Sequence, residues 1–368
     1  MTLFTYSQFF IDWTCFLCVL WVIESSEGGN LMKLGINHHQ QKNQISIVLN
    51  FNIIIILLIM KAMFFLDFCS KEKGIVNKVI VLEKDFEIGF LEGDENYIFG
   101  IITDVEVDLS GNIFVLDSKL CQVLKYNKYG KFILKFGKKG QGPGEFRYPE
   151  SIVLDLERSI YVLDNPKVKI FNKEGRFIHS FDFDFYGVDI AINNKGNLII
   201  LGAKDNKIFH TYDRQGKYLY SFGSSLNVPN DFAKFREADM FRTPIRLWSI
   251  KNRIYFMNPY KYEIYIYENS NLKGVLTKKS SDYLKPKFKE EVPGGYVGYI
   301  ADNFIFNKGN NIFVSYNGNK ANWLDIYENG ELLKSLEVKG ILRAIDFEGK
   351  FYFIEEEDYP KIVTYILK

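Results

Sequence analysis

The chain has 368 residues, with 46 Lys and Arg against 45 Asp and Glu and a formal charge of +1, so it supplies no basic surplus for a nucleic-acid partner. Of its 4 His only His179 and His210 lie beyond residue 74, too few for a multi-histidine zinc site. Of its 4 Cys only Cys121 lies there, which excludes an internal disulfide framework in that region.

Residues 1–74 read as an extension carrying a signal or membrane-anchor segment. A first apolar stretch at 9–23 is broken by Asp12, and Cys15 and Cys18 inside it read as incidental. The stronger run is 45–60, where Ile53 to Met60 carries no charge; with Phe64, Phe65 and Leu66 it approaches the length of a span before Lys61 and Asp67 are counted. Met32, Lys33 and Lys42 give a basic start ahead of it, the order of an export signal, and point to Met32 as the start of translation. Cys69 then stands where a bacterial lipidation cysteine would, although Asp67 and Phe68 are not the small residues such a site wants. Acylation at Cys69 and an uncleaved anchor both stay open, and both place an exported or membrane-held protein at the bacterial cell envelope.

Residues 75–368 repeat themselves. A turn and an apolar strand recur with first apolar residues Ile113, Ile160, Leu198, Ile254, Ile312 and Phe351, and a second strand ending in a turn follows each, as at Tyr126, Phe171 and Tyr212. The spacing averages about 48 residues, that of propeller blades. The expected fold is therefore all-β, a six-bladed β-propeller. Strands such as Ile160, Tyr161, Val162 and Leu163 are apolar on both faces, which neighbouring blades would cover. The 33 Phe and 23 Tyr suit the wide outer gaps between blades. The inserts at 224–242 and 278–298 read as loops.

Between the first and second units stand Phe136, Gly137, Gly140, Gly142, Pro143, Gly144 and Phe146, followed by Pro149 and the apolar Ile152 to Leu154. This run resembles the NHL-type repeat, in which a strand ending in Phe-Gly leads through a Gly-rich crossing loop to the next blade. The chain is similar to bacterial six-bladed propeller proteins of that kind, many of them predicted lipoproteins, over residues 75–368. The resemblance implies architecture and carries no general activity. A phosphate cradle is the other reading of the three glycines, but no helix start follows and Pro143 removes an amide.

The last unit runs out one strand short, and the apolar stretch at 79–83 is free to complete it and seal the ring. The starts of the inner strands converge on the channel and supply the site candidates Asp104, Asp189, Arg246, Asp302, Asn303 and Arg343, with Ser151 among them. They read either as arginine–carboxylate pairs at a solvated pore mouth or as a ligand site. No cofactor is expected. The chain thus reads as a monomeric ring, a non-catalytic binding or scaffolding module for a protein or small polar ligand. The alternative is a hydrolase or lyase using Ca²⁺ or Zn²⁺ at the channel.

Overall fold

The computed structural model describes residues 59–61, 80–224, 247–250, 252–258, 261–278, 287–289, 297–299, 303–308, 311–318 and 321–368. Six four-stranded antiparallel sheets follow one another. Blade 1 consists of Ile102–Val107, Ile113–Asp117, Gln122–Tyr126 and Phe132–Phe136. Blade 2 is Pro149–Leu154, Ile160–Asp164, Lys167–Phe171 and Phe177–Asp182; blade 3 is Asp189–Ile192, Leu198–Lys204, Lys207–Tyr212 and Tyr218–Ser224. Blade 4 is Leu247–Ile250, Arg253–Met257, Glu263–Glu268 and Asn271–Thr277; blade 5 is Asn303–Lys308, Asn311–Asn317, Asn322–Glu328 and Glu331–Val338. Blade 6 takes Ile341–Ile345, Lys350–Glu355 and Lys361–Leu367 from the end of the chain and Leu82–Ile88 from its start. The innermost strands pack in the circular order 1-2-3-4-5-6-1, so the sheets close into a six-bladed propeller.

Burial peaks on the second strand of each of the first two blades and falls toward the outermost strand, which explains the apolar pattern. Every residue of Ile113–Asp117 and Ile160–Asp164 is buried, because a blade lies on each face. The outermost strand Phe132–Phe136 instead alternates between half-buried and exposed residues. Aromatic side chains fill the outer splay, as where Phe136 and Phe177 meet Phe171 with ring centroids 4.9 Å and 5.8 Å away.

Ring closure uses the start of the chain, with a shifted register. The closing strand is Leu82–Ile88, not 79–83; Leu82 pairs with Leu367 and Ile88 with Ile362. Polar residues mask this strand in the sequence, because the outermost strand of a blade is wet on much of its surface: Glu83, Lys84 and Asp85 are exposed. Ile80 is buried beside Phe351 and Leu342, and Asp85 pairs with Lys350 at 2.6 Å. The insert at 278–298 is also not all loop, since Lys287–Lys289 pairs with Val297–Tyr299; the insert at 224–242 lies outside the described residues beyond Ser224. So do the first apolar stretch, most of the second, and Cys69.

Antiparallel strands give the ring two unlike ends. Turns joining first to second and third to fourth strands lie at one, the turn end. The turns joining second to third strands and the crossings from blade to blade lie at the other, the crossing end. The Gly-rich run is such a crossing. Its Gly142 amide donates to the Glu145 carboxylate at 2.9 Å, which holds that carboxyl below its ordinary pKa, so the loop's own acid occupies the would-be anion cradle. Gly137 sits at φ 85°, and a side chain there would run into the Phe146 ring.

Candidate functional site

At the axis, the sequence-derived candidates divide. Asp104 and Asp189 occupy equivalent places, paired with Leu116 and Leu201 of their second strands, and both are buried. Ser151 of the intervening blade brings them together, its hydroxyl 2.9 Å from Asp104 and 2.5 Å from Asp189. Each carboxylate also accepts a backbone amide from the next blade, Ile152 to Asp104 at 3.0 Å and Leu247 to Asp189 at 2.7 Å. Blades 5 and 6 repeat the device with a hydroxyl, the Leu342 amide donating to Ser315 at 3.1 Å. These acids therefore act as latches between blades. Arg343 is buried at a bulge between Leu342 and Ala344, further along its strand than the place Asp104 occupies. Asn303 starts the inner strand of blade 5 and pairs with Tyr316. Arg246 and Asp302 lie outside the described residues.

A second set of acids holds the crossing loops. Asp117 ends the second strand of blade 1 and accepts the Gly100, Ile101 and Leu120 amides. Asp164, its counterpart in blade 2, accepts the Arg147 and Tyr148 amides at 2.7 and 2.6 Å and pairs with the buried Lys169 at 3.0 Å. The repeated Leu-Asp of the sequence is thus a loop clamp.

Blade 3 breaks this rule, and a pocket opens there. Gly202 stands where Asp117 and Asp164 stand, and a side chain on it would collide with the Tyr186 carbonyl oxygen and the Phe185 ring. Its carbonyl instead receives His210 Nε2 at 3.0 Å, with Phe185 packed on the imidazole at 4.3 Å between centroids. If Nε2 carries the proton for Gly202, Nδ1 is the acceptor for the Ser221 hydroxyl 2.7 Å away, directly across the strand pair. Tyr218 Oη is 2.9 Å from the same hydroxyl. Burial lowers the pKa of His210 and pushes the Tyr212 phenol up to about 12.

The pocket over this group has a volume of about 550 Å³ and runs between blades 2 and 3 from the crossing end, where Asp182, Asp184 and Lys204 stand, toward Tyr212 and Tyr218 beside the third-to-fourth turn of blade 3. Phe183, Tyr212 and Tyr218 give it aromatic walls; Asp182, Asp184 and Lys204 give it a charged rim. Lys204 bonds Asp184 at 2.5 Å, which lowers the carboxyl's pKa and raises the ammonium's. In the sequence His210 reads as a surface or inter-blade histidine, and the structure buries it; Ser221, Tyr218 and Lys204 carry no motif. The available signal was Gly202 in place of the repeat's Asp. Among the described residues no group of three or more His, Cys, Asp or Glu is placed to hold a metal ion.

The family described as Domain of unknown function (DUF4934) matches residues 81–364. Among curated proteins, Protein brain tumor of Drosophila melanogaster is 26% identical over 157 residues, 41% of this chain and 15% of that protein, so the chain spans only a small part of that relative's length. Two solved structures share the fold. One is a protein of Bacteroides fragilis named as an exported one, with a TM-score of 0.54 and 14% identity over 80% of this chain and 96% of that one. The other is a member of the DUF4221 family from Bacteroides vulgatus, with a TM-score of 0.54 and 10% identity over 78% of this chain and 98% of that one.

Proposed function

The chain belongs to the family described as Domain of unknown function (DUF4934), and from that premise we propose that it is an exported propeller held at the cell envelope as a monomeric, non-catalytic binding module. The reading is carried by the contrast between the axis and the pocket. Asp104 and Asp189 are committed to amides of the neighbouring blades, whereas the pocket between blades 2 and 3 is open and lined by groups the repeat does not need. A polar ligand, or polar side chains of a protein partner, would stack on Tyr218 and reach Ser221, Lys204 and Asp182. The apolar run at 45–60 and the exported name of the Bacteroides fragilis neighbour support the location, with Cys69 or an uncleaved segment as the tether.

Two measurements test the reading. Fractionation of the full chain should place it with membranes, and recovery in the soluble cytoplasm alone would overturn the location. Ligand-observed NMR against neutral saccharides, amino acids and short peptides should find a binder that Tyr218→Ala weakens. A binder indifferent to Tyr218 would move the site elsewhere. Stoichiometric calcium or zinc in the purified protein would favour a metal-dependent hydrolase or lyase at the channel instead.

A further inference from the structure

The turn end of the ring carries apolar residues where solvent contact is greatest. In blades 6, 1 and 2, which are neighbours, the turn between first and second strands is built alike. Asp346, Asp108 and Asp155 fold back onto amides of their own turns, Asp346 onto Gly349 and Lys350, Asp108 onto Ser110 and Asn112, Asp155 onto Ser159. The next residue is thrust outward each time: Phe347 is 81% exposed, Leu109 65% and Leu156 82%. Blade 3 has the polar Asn194 at that place. Tyr129, 74% exposed, stands at the same end on the outer turn of blade 1, and exposed charges of both signs, Lys128, Lys131 and Arg158 with Glu157 and Glu348, lie among the tips.

The topology ties this end to the start of the chain. Leu82–Ile88 is a fourth strand, and fourth strands run from the turn end to the crossing end, so the chain enters the ring beside the apolar tips. The apolar run at 45–60 lies just upstream. We propose that the turn end rests on a lipid bilayer, with Leu109, Leu156 and Phe347 dipping into the headgroup boundary and the lysines meeting lipid phosphates. Separate tips on rigid turns suit a fluid surface, where each can sink between lipids, better than the continuous apolar patch a protein partner would cover. The inference rests on the envelope location above.

The test supplies the tether, so its outcome is independent of whether the natural chain is anchored. The ring, residues 79–368, closes with its own strands and can be held through an N-terminal histidine tag on nickel-chelating lipid. The vesicles are otherwise equal parts phosphatidylcholine and phosphatidylglycerol. An environment-sensitive fluorophore is placed on Leu156→Cys, or at the crossing end on Gln141→Cys; Cys121 is buried and does not compete. The Leu156 label should shift to the blue and be quenched by brominated acyl chains, while the Gln141 label does neither. An unshifted Leu156 label would overturn the proposal and leave the tips to a protein partner; equal responses from both labels would overturn it as unspecific adsorption. A full chain found soluble in the cytoplasm would instead sink the location, with the ring's lipid response standing or falling by itself.

Discussion

The Lys278 ammonium, at the end of blade 4, lies 2.8 Å from the fully buried Asp325 carboxylate of blade 5. Tyr262 and Ser335 each donate a hydroxyl to that carboxylate at 2.6 Å, so the acid is held from both blades. Burial works against the ammonium, but the hydrogen bond and charge of Asp325 raise its pKa above the ordinary value, and the pair persists until pH climbs past that raised value. Lys278→Met leaves a buried carboxylate without its counter-charge and should cost about 3 kcal/mol in urea unfolding. Lys84→Met, which breaks a largely exposed pair with Glu87, should cost less than about 1 kcal/mol. Equal losses would show that the blade 4–5 pair has no special weight.

His210 makes stability depend on pH. Burial holds its pKa below the ordinary 6.5, so the unfolded chain binds the proton more readily than the folded ring. Stability from this group is full above about pH 6.5 and falls as the pH drops from there through the lower folded value. His210→Gln should flatten that part of the curve. Urea midpoints between about pH 7.5 and pH 5 decide it; a mutant profile parallel to the parent's would mean that other groups set the slope.

The sequence made the repeat legible because the second strands are buried on both faces. Ile113 to Leu116 and Ile160 to Leu163 have no solvent face to disguise them. The closing strand was misplaced by a few residues for the opposite reason: its polar Glu83 to Asp85 face water and its pairing is set by a partner almost three hundred residues away in the chain. Among the site candidates, Asp104 and Asp189 were legible as inner-strand acids, but their role depends on amides of the next blade, which no local pattern reveals. The pocket residues were less legible still. Lys204, His210 and Ser221 come from three strands, and only Gly202 marks the place where the repeat gives way.

Closure of the ring can be tested at one side chain. Thr364 Oγ accepts the Phe86 amide and donates to the Phe86 carbonyl, both at 3.0 Å, where the closing strand bulges between Lys84 and Glu87. Thr364→Val keeps the shape and strips both bonds, at an expected cost of about 1 to 3 kcal/mol. Deleting residues 79–88 should go further and expose the sheet edge of Lys361–Leu367, giving oligomers in size-exclusion chromatography. A deleted chain that stays monomeric and melts like the parent would show that the strand is not needed for closure.

The axis offers the sharpest separation between a latch and a ligand site. The Ser151 hydroxyl has one proton and stands between two buried carboxylates, 2.9 Å from Asp104 and 2.5 Å from Asp189. In Ser151→Ala a methyl replaces the bridge, the two acids lose their shared polar contact, and the contacts across blades 1, 2 and 3 weaken. The expected loss is about 1 to 3 kcal/mol, because the hydrogen bonds removed are buried. Arg343→Ala should also lower the melting temperature, since its side chain is buried at the bulge of blade 6. Binding at the blade 2–3 pocket should survive both changes once the protein is compared at a temperature where it stays folded. If instead either substitution abolished ligand binding at an unchanged melting temperature, the channel would be the binding site and the latch reading would be lost.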